Sequence, residues 1–137
     1  MSIQLWKNKA AKEVEPKLFS TLAEEQAKQL SNDGKDSKGK DKLNKSSQLR
    51  RFFDEVVRLN DMAKSRQKPV PMSLVLPSLH MLIAKASYAQ GRDLVSPSFV
   101  TLMRDSIDQI QDREDLQVFT HFFEAVIAFY KLYRPKD

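Results

Sequence analysis

Residues 114–133 constrain the fold of this chain more than any other stretch. Leu116, Val118, Phe119, Phe122, Phe123, Val126, Ile127, Phe129, Tyr130 and Leu132 cover most of a helical circumference, and only Gln117, Thr120, His121, Glu124 and Lys131 leave a narrow polar stripe. A helix that is apolar on nearly every side needs neighbours on nearly every side. It is therefore expected at the centre of a bundle and, in part, in an interface between subunits.

The remaining sequence supplies the neighbours. Pro16 suits the first turn of a helix over 16–30, with Leu18, Phe19, Leu22, Ala23, Ala27 and Leu30 at helical spacing. Residues 46–66 form a second, amphipathic helix capped by Ser46 or Ser47, with Leu49, Phe52, Phe53, Val56, Asn60 and Ala63 facing inward. A third, more apolar helix runs over 76–90, with Pro77 in its first turn and Gly91 as a left-handed cap. Ser96 and Pro97 open a fourth that carries Phe99, Leu102, Met103, Ile107 and Ile110 to about residue 111. With only 3 Gly and 6 Pro, tight β-turns are few. The fold class is all-α: a compact bundle of about five helices.

Two segments stand apart. Residues 1–14 are polar except for Ile3, Leu5 and Trp6, which can anchor them to a core. Residues 31–45 hold two glycines, five lysines and one large apolar side chain, Leu43, so burial does not offset the entropy of ordering them. They are expected to be a flexible basic linker. The division is an N-terminal part, 1–45, and a bundle core, 46–137, within a single domain; 137 residues do not support two separate cores.

Charge is distributed unevenly. Residues 1–45 carry 10 basic and 7 acidic side chains, 46–92 carry 8 and 3, and 93–137 carry 5 and 8, giving a basic middle and an acidic C-terminal part. Such asymmetry suits a polyanion on one face, and it gives identical copies a head-to-tail electrostatic fit. A merely solvated helical surface accounts for the net +5 equally well. The absence of cysteine excludes disulfides and thiolate metal sites. With no apolar run of membrane-spanning length and no signal peptide, the expected location is cytoplasmic.

Catalytic patterns are missing. His80 and His121 lie on different helices without metal-ligand spacing, and there is no phosphate-binding glycine loop, nucleophile elbow or convincing magnesium pair. No cofactor is implied, and the chain reads as a non-enzyme. The basic residues carry more information. On the second helix Arg50 is spaced to pair with Asp54 and Arg51 with Glu55, in the weaker base-first order, which leaves Arg58 as the freest cation. Lys85 interrupts an apolar helix and Arg92 follows its end. Few aromatics stand on these faces, so contacts to a nucleic acid are expected at the backbone.

Three blocks resemble a known family. Ser47 through Val56 (SQLRRFFDEV), Leu79 with Ala84 through Arg92 (AKASYAQGR), and Phe119 through Lys131 (FTHFFEAVIAFYK) look like the Csm small subunit of type III-A CRISPR effector complexes, in the family's order. The resemblance implies a non-catalytic, multi-copy helical subunit. It would stack as a filament along guide and target RNA, touching the repeated backbone subunit and the large polymerase-nuclease subunit in antiviral defence. On that reading Arg50, Arg51, Arg58, Lys64, Lys85 and Arg92 line an RNA-binding groove, and the C-terminal acidic and apolar surfaces meet neighbouring copies. The rival is a helical protein-interaction adaptor whose basic face meets an acidic protein and never touches nucleic acid.

Overall fold

The computed structural model describes residues 3–137. Five α-helices make up most of it: α1 (Ala23–Asp33), α2 (Ser46–Lys64), α3 (Met72–Gly91), α4 (Pro97–Ile107) and α5 (Arg113–Tyr133). A small antiparallel hairpin, β1 (Trp6–Asn8) with β2 (Glu13–Val14), precedes them. The helices pack in a ring, α1 on α5, α5 on α2, α2 on α3, α3 on α4, and α4 back on α1.

The all-round apolarity of α5 is explained by this ring. Leu116, Phe119, Phe122, Phe123, Val126 and Tyr130 are all buried between α1 and α2. At the centre the Phe99 ring of α4 lies 5.1 Å from Phe52 of α2 and 6.3 Å from Phe123 of α5, and Phe53 meets Phe123 edge-on at 5.5 Å. Each such pair adds about 0.5–1.5 kcal/mol beyond simple area burial. On α5 the large apolar side chain left exposed is Leu132. The exposed stripe lies on α3 instead, where Leu74, Met81 and Tyr88 recur every seven residues.

Helix ends depart from the expected ones for local reasons. The first helix opens with a wide π-helical turn, Leu18–Leu22, in which the Leu22 N–H reaches back to the Lys17 carbonyl. Lys45, not Ser46 or Ser47, is the N-cap of α2, and its side chain makes no cap bond. The vacant Ser46 N–H donates to the Asp137 carboxylate at 3.2 Å, placing an anion at the positive end of the helix. Pro77 lies inside α3 because the helix already begins after Pro71; Ser73, whose carbonyl it deprives of a partner, is an exposed residue of the first turn. Gly91 is the last helical residue rather than a left-handed cap, and the positive φ falls on Asp93 (58°). α4 opens after Ser96 as expected, and Asp112 with Asp115 forms a reciprocal capping box at the start of α5.

The two outlying segments both dock. Ile3 and Leu5 are buried, and the Gln109 side-chain amide clips their backbone: it accepts from Leu5 N–H at 3.0 Å and donates to the Ile3 carbonyl. The Trp6 indole N–H donates to buried Asp115 at 2.7 Å.

The Lys-rich segment, expected as a flexible linker, takes a defined path. Lys35 bridges to Asp41, Asp36 accepts the N–H groups of Lys38 and Lys40 at 2.9 Å each, and Gly39 turns the tip at φ 78°. Its far end is nailed down by Asn44, fully buried, and by Arg134, whose side chain is enclosed and donates to the Leu43 carbonyl at 2.7 Å. Hydrogen bonds, rather than apolar burial, give this loop its shape. Gly34 is required beside them, since a Cβ there would overlap the Leu43 carbonyl oxygen and the Arg134 guanidinium.

Candidate nucleic-acid interface

An open groove of about 380 Å³ runs between α2 and α3. From α2 it takes Gln48, Arg51, Phe52 and Glu55; from α3 it takes Leu82, Lys85, Tyr88 and Ala89, with Arg92 and Leu94 just beyond. Helical spacing accounts for the lining. Residues 48, 51 and 55 share one edge of α2, and 85, 88 and 92 share one edge of α3, each three or four apart from the next. Phe52 and Leu82 seal the floor and are buried, while Arg51, Lys85, Tyr88 and Arg92 are exposed.

The charge pairing in the groove differs from the one expected. Glu55 binds Arg58, whose Nε donates to Oε2 at 3.2 Å and whose Nη2 donates to Oε1, a two-pronged contact. This hydrogen bond from Arg58 holds the Glu55 carboxyl below its usual range, opposed by partial burial and helped by the charges of Arg58 and Lys85. The same contact raises Arg58. The acid thus takes the base that follows it, the favoured order on a helix, and leaves Arg51 free. Among the described residues Arg51, Lys85 and Arg92 have no carboxylate within ion-pair distance. Glu55 is the one acid in the lining, and its charge is already met.

Three of the six cations proposed for the site therefore converge: Arg51, Lys85 and Arg92. Arg58 stands at the rim, engaged with Glu55 and with its Nη1 3.1 Å from the Met62 sulfur. Arg50 lies apart, in a hollow with Ser46, Lys131 and Asp137. Lys64 lies apart as well, beside Trp6 and Arg113 and 3.8 Å from Asp61. Asp54 makes no ion pair with Arg50 among the described residues.

Two features of the surface were not singled out by sequence reasoning. Tyr88 is 66 % exposed in the groove, and Arg92 donates to its hydroxyl at 3.3 Å with the guanidinium carbon 5.9 Å from the ring centroid. Its place three residues after Lys85 and four before Arg92 was the available signal. The second is the union of the Lys-rich loop with the groove. The Asn44 N–H donates to the carbonyl of Leu94, a lining residue, at 3.0 Å, and Lys45 stands one turn before Gln48. Elsewhere, the exposed His121 ring meets Phe19 edge-on at 6.2 Å, and Asp105 and Asp108 border a wide acidic hollow with Trp6 and Lys9.

Among the described residues no helix is long and apolar enough to cross a membrane, and no cluster of three His, Asp or Glu is placed to hold a metal ion.

Comparison with known proteins gives a consistent result. The Csm2 Type III-A family model matches residues 13–136, which takes in the first helix and the Lys-rich loop as well as the three blocks. A curated relative from Streptococcus thermophilus, described as CRISPR system Cms protein Csm2, is 29% identical over 105 residues, covering 75% of this chain and 83% of that protein. No solved structure matches. The match runs over nearly the whole ring of helices, groove included, and the chain belongs to the Csm2 Type III-A family, as a small subunit of the type III-A CRISPR Csm complex.

Proposed function

We propose that this subunit grips the sugar-phosphate backbone of guide or target RNA through the α2–α3 groove, without catalysing a reaction on it. The convergence of Arg51, Lys85 and Arg92, none within ion-pair distance of a carboxylate among the described residues, carries the reading. Three unmatched cations along one groove suit a row of phosphates, and contacts of that kind hold any sequence alike. Lys38, Lys40, Lys42 and Lys45 extend the same charge along the adjoining loop. The subunit would work in the cytoplasm as several copies along the RNA, against the repeated backbone subunit and the large polymerase-nuclease subunit.

Titration of a labelled single-stranded RNA at two salt concentrations tests this. Arg51→Ala and Lys85→Ala should each weaken binding whatever the sequence and flatten the salt slope by about 0.7–0.9. An unchanged affinity and slope in both variants would clear the groove of the role.

Contact between copies is the second part of the proposal. The acidic hollow of Asp105 and Asp108 has the charge to receive a neighbour's basic surface. Sedimentation should then show self-association that salt disperses. The α3 stripe of Leu74 and Met81 favours the rival adaptor reading, since exposed apolar rows mark protein contacts. That reading predicts no RNA binding at either salt concentration.

A further inference from the structure

Tyr88 does not fit a site that reads phosphates alone. It is more exposed than any other aromatic side chain described, yet it stands in the groove among Arg51, Lys85 and Arg92. Tyr130, by contrast, is buried and bonded to the Asn44 carbonyl, and Tyr133 bonds Glu24. Arg92 approaches the Tyr88 ring from one side, its guanidinium carbon 5.9 Å from the centroid, and donates to the hydroxyl at 3.3 Å, which leaves the rest of the exposed ring open to a ligand.

From this we infer that Tyr88 is a stacking platform for one unpaired nucleobase, with Arg51, Lys85 and Arg92 holding the flanking phosphates. The inference rests on the reading of the groove as an RNA site and narrows it to single strands. A duplex keeps its base faces inside the stack, where a ring projecting from a helix finds none to cover; an unpaired strand can turn a base onto the ring. Every base has a face of this kind, so the contact adds affinity without a preference for sequence. The neighbouring cations favour RNA over a protein partner at this end of α3: Leu74 and Met81 of the same stripe are absent from the groove lining.

The test uses the purified full chain with an oligouridine of about twelve nucleotides, a length within common single-strand site sizes, and with a duplex of the same length. A second single strand carries 2-aminopurine at internal positions. Tyr88→Ala should lower single-strand affinity about fivefold or more, leave duplex affinity and the salt slope unchanged, and abolish 2-aminopurine quenching. Tyr88→Phe should stay within about twofold of wild type, since the ring is kept. Arg51→Ala should weaken both RNAs and flatten the slope.

If Arg51→Ala behaves so while Tyr88→Ala binds the single strand like wild type, stacking is overturned and the phosphate groove stands. Equal loss on single strand and duplex in Tyr88→Ala also overturns it, as would an effect confined to association between copies. Failure of the wild-type chain to bind either RNA overturns both readings. Circular dichroism should show both variants folded, since the side chain is exposed and alanine favours the helix.

Discussion

Asn44 and Ser96 exchange two hydrogen bonds across 52 residues: the Ser96 N–H donates to Asn44 Oδ1 at 2.8 Å, and Asn44 Nδ2 donates to Ser96 Oγ at 2.8 Å. The same amide donates to the Leu30 carbonyl at 2.9 Å, and the Asn44 carbonyl accepts the Tyr130 hydroxyl. One buried residue thereby joins the end of α1, the start of α2, the start of α4 and the last turns of α5. Its backbone is left-handed, φ 60°, a conformation asparagine tolerates better than most side chains.

Asn44→Ala should be among the more damaging single changes outside the aromatic core, by about 2–4 kcal/mol. It orphans buried partners and puts a Cβ-bearing residue without polar compensation at positive φ. Asn44→Gly relieves the backbone and should lose about 1 kcal/mol less. Chemical denaturation of the two variants beside wild type reads the difference.

Glu55→Gln should strengthen RNA binding by a few-fold. It removes the one acid lining the groove and frees Arg58 at its rim, so the salt slope should steepen by up to about one unit. Thermal stability should hardly move, because an exposed pair of this kind contributes about 0–1 kcal/mol. A weaker binder would show that Arg58 and Glu55 act as a structural unit for the groove.

Gly91→Ala should stabilise the fold by about 0.5–1 kcal/mol, seen as a rise in Tm of a few degrees. Gly91 closes α3 in helical geometry, and nothing lies within 4 Å of an added Cβ. A left-handed cap at this position would give the opposite sign, so the direction alone decides.

The N-terminal hairpin should release at both extremes of pH. Lys9 bonds Asp112 at 2.7 Å and Asp115 at 2.9 Å, and these hydrogen bonds push its pKa from 10.5 to about 12. Asp112 is raised by burial but lowered more by the bond from Lys9 and backbone N–H groups, ending below 3.8. The Lys9 contribution is full below 10.5 and fades as pH climbs through about 12. The Asp112 contribution is full above its ordinary value and fades as pH falls through the depressed one. The stability gap between wild type and Lys9→Met should therefore be flat around neutrality and close at both ends. Trp6, the only tryptophan, bonds Asp115 and reports the detachment by its emission.

Periodicity made the helices legible, because the inward face of each one is written in its own residues, as with Leu49, Phe52 and Val56 of α2. It did not show which neighbour that face would meet, so Tyr88 passed as one residue of an apolar helix. Spacing alone pairs Glu55 with Arg51, four residues before, and leaves Arg58 free; the structure reverses this, giving Glu55 to Arg58, three residues after, in the favoured acid-first order. The path of the Lys-rich loop is not legible in sequence for a different reason. Its order comes from Asn44, Asp36 and the distant Arg134, and polar anchors leave no hydrophobic pattern to read. Arg50 and Lys64 face away from the groove because, at about 100° per residue, they lie roughly 100° and 140° around α2 from Arg51.

The docking of the N-terminal residues on the α4–α5 connection and the first turn of α5 also fixes an order in time. Trp6 waits for Asp115, Leu5 for Gln109, and the loop before α2 for Arg134, each about a hundred residues later. During synthesis the early helices are made well before the partners that bury them, so cooperative closure belongs to the moment α5 clears the ribosome. Until then α1 carries an uncovered apolar face, and a nascent chain stalled before residue 113 is the species from which aggregation would start.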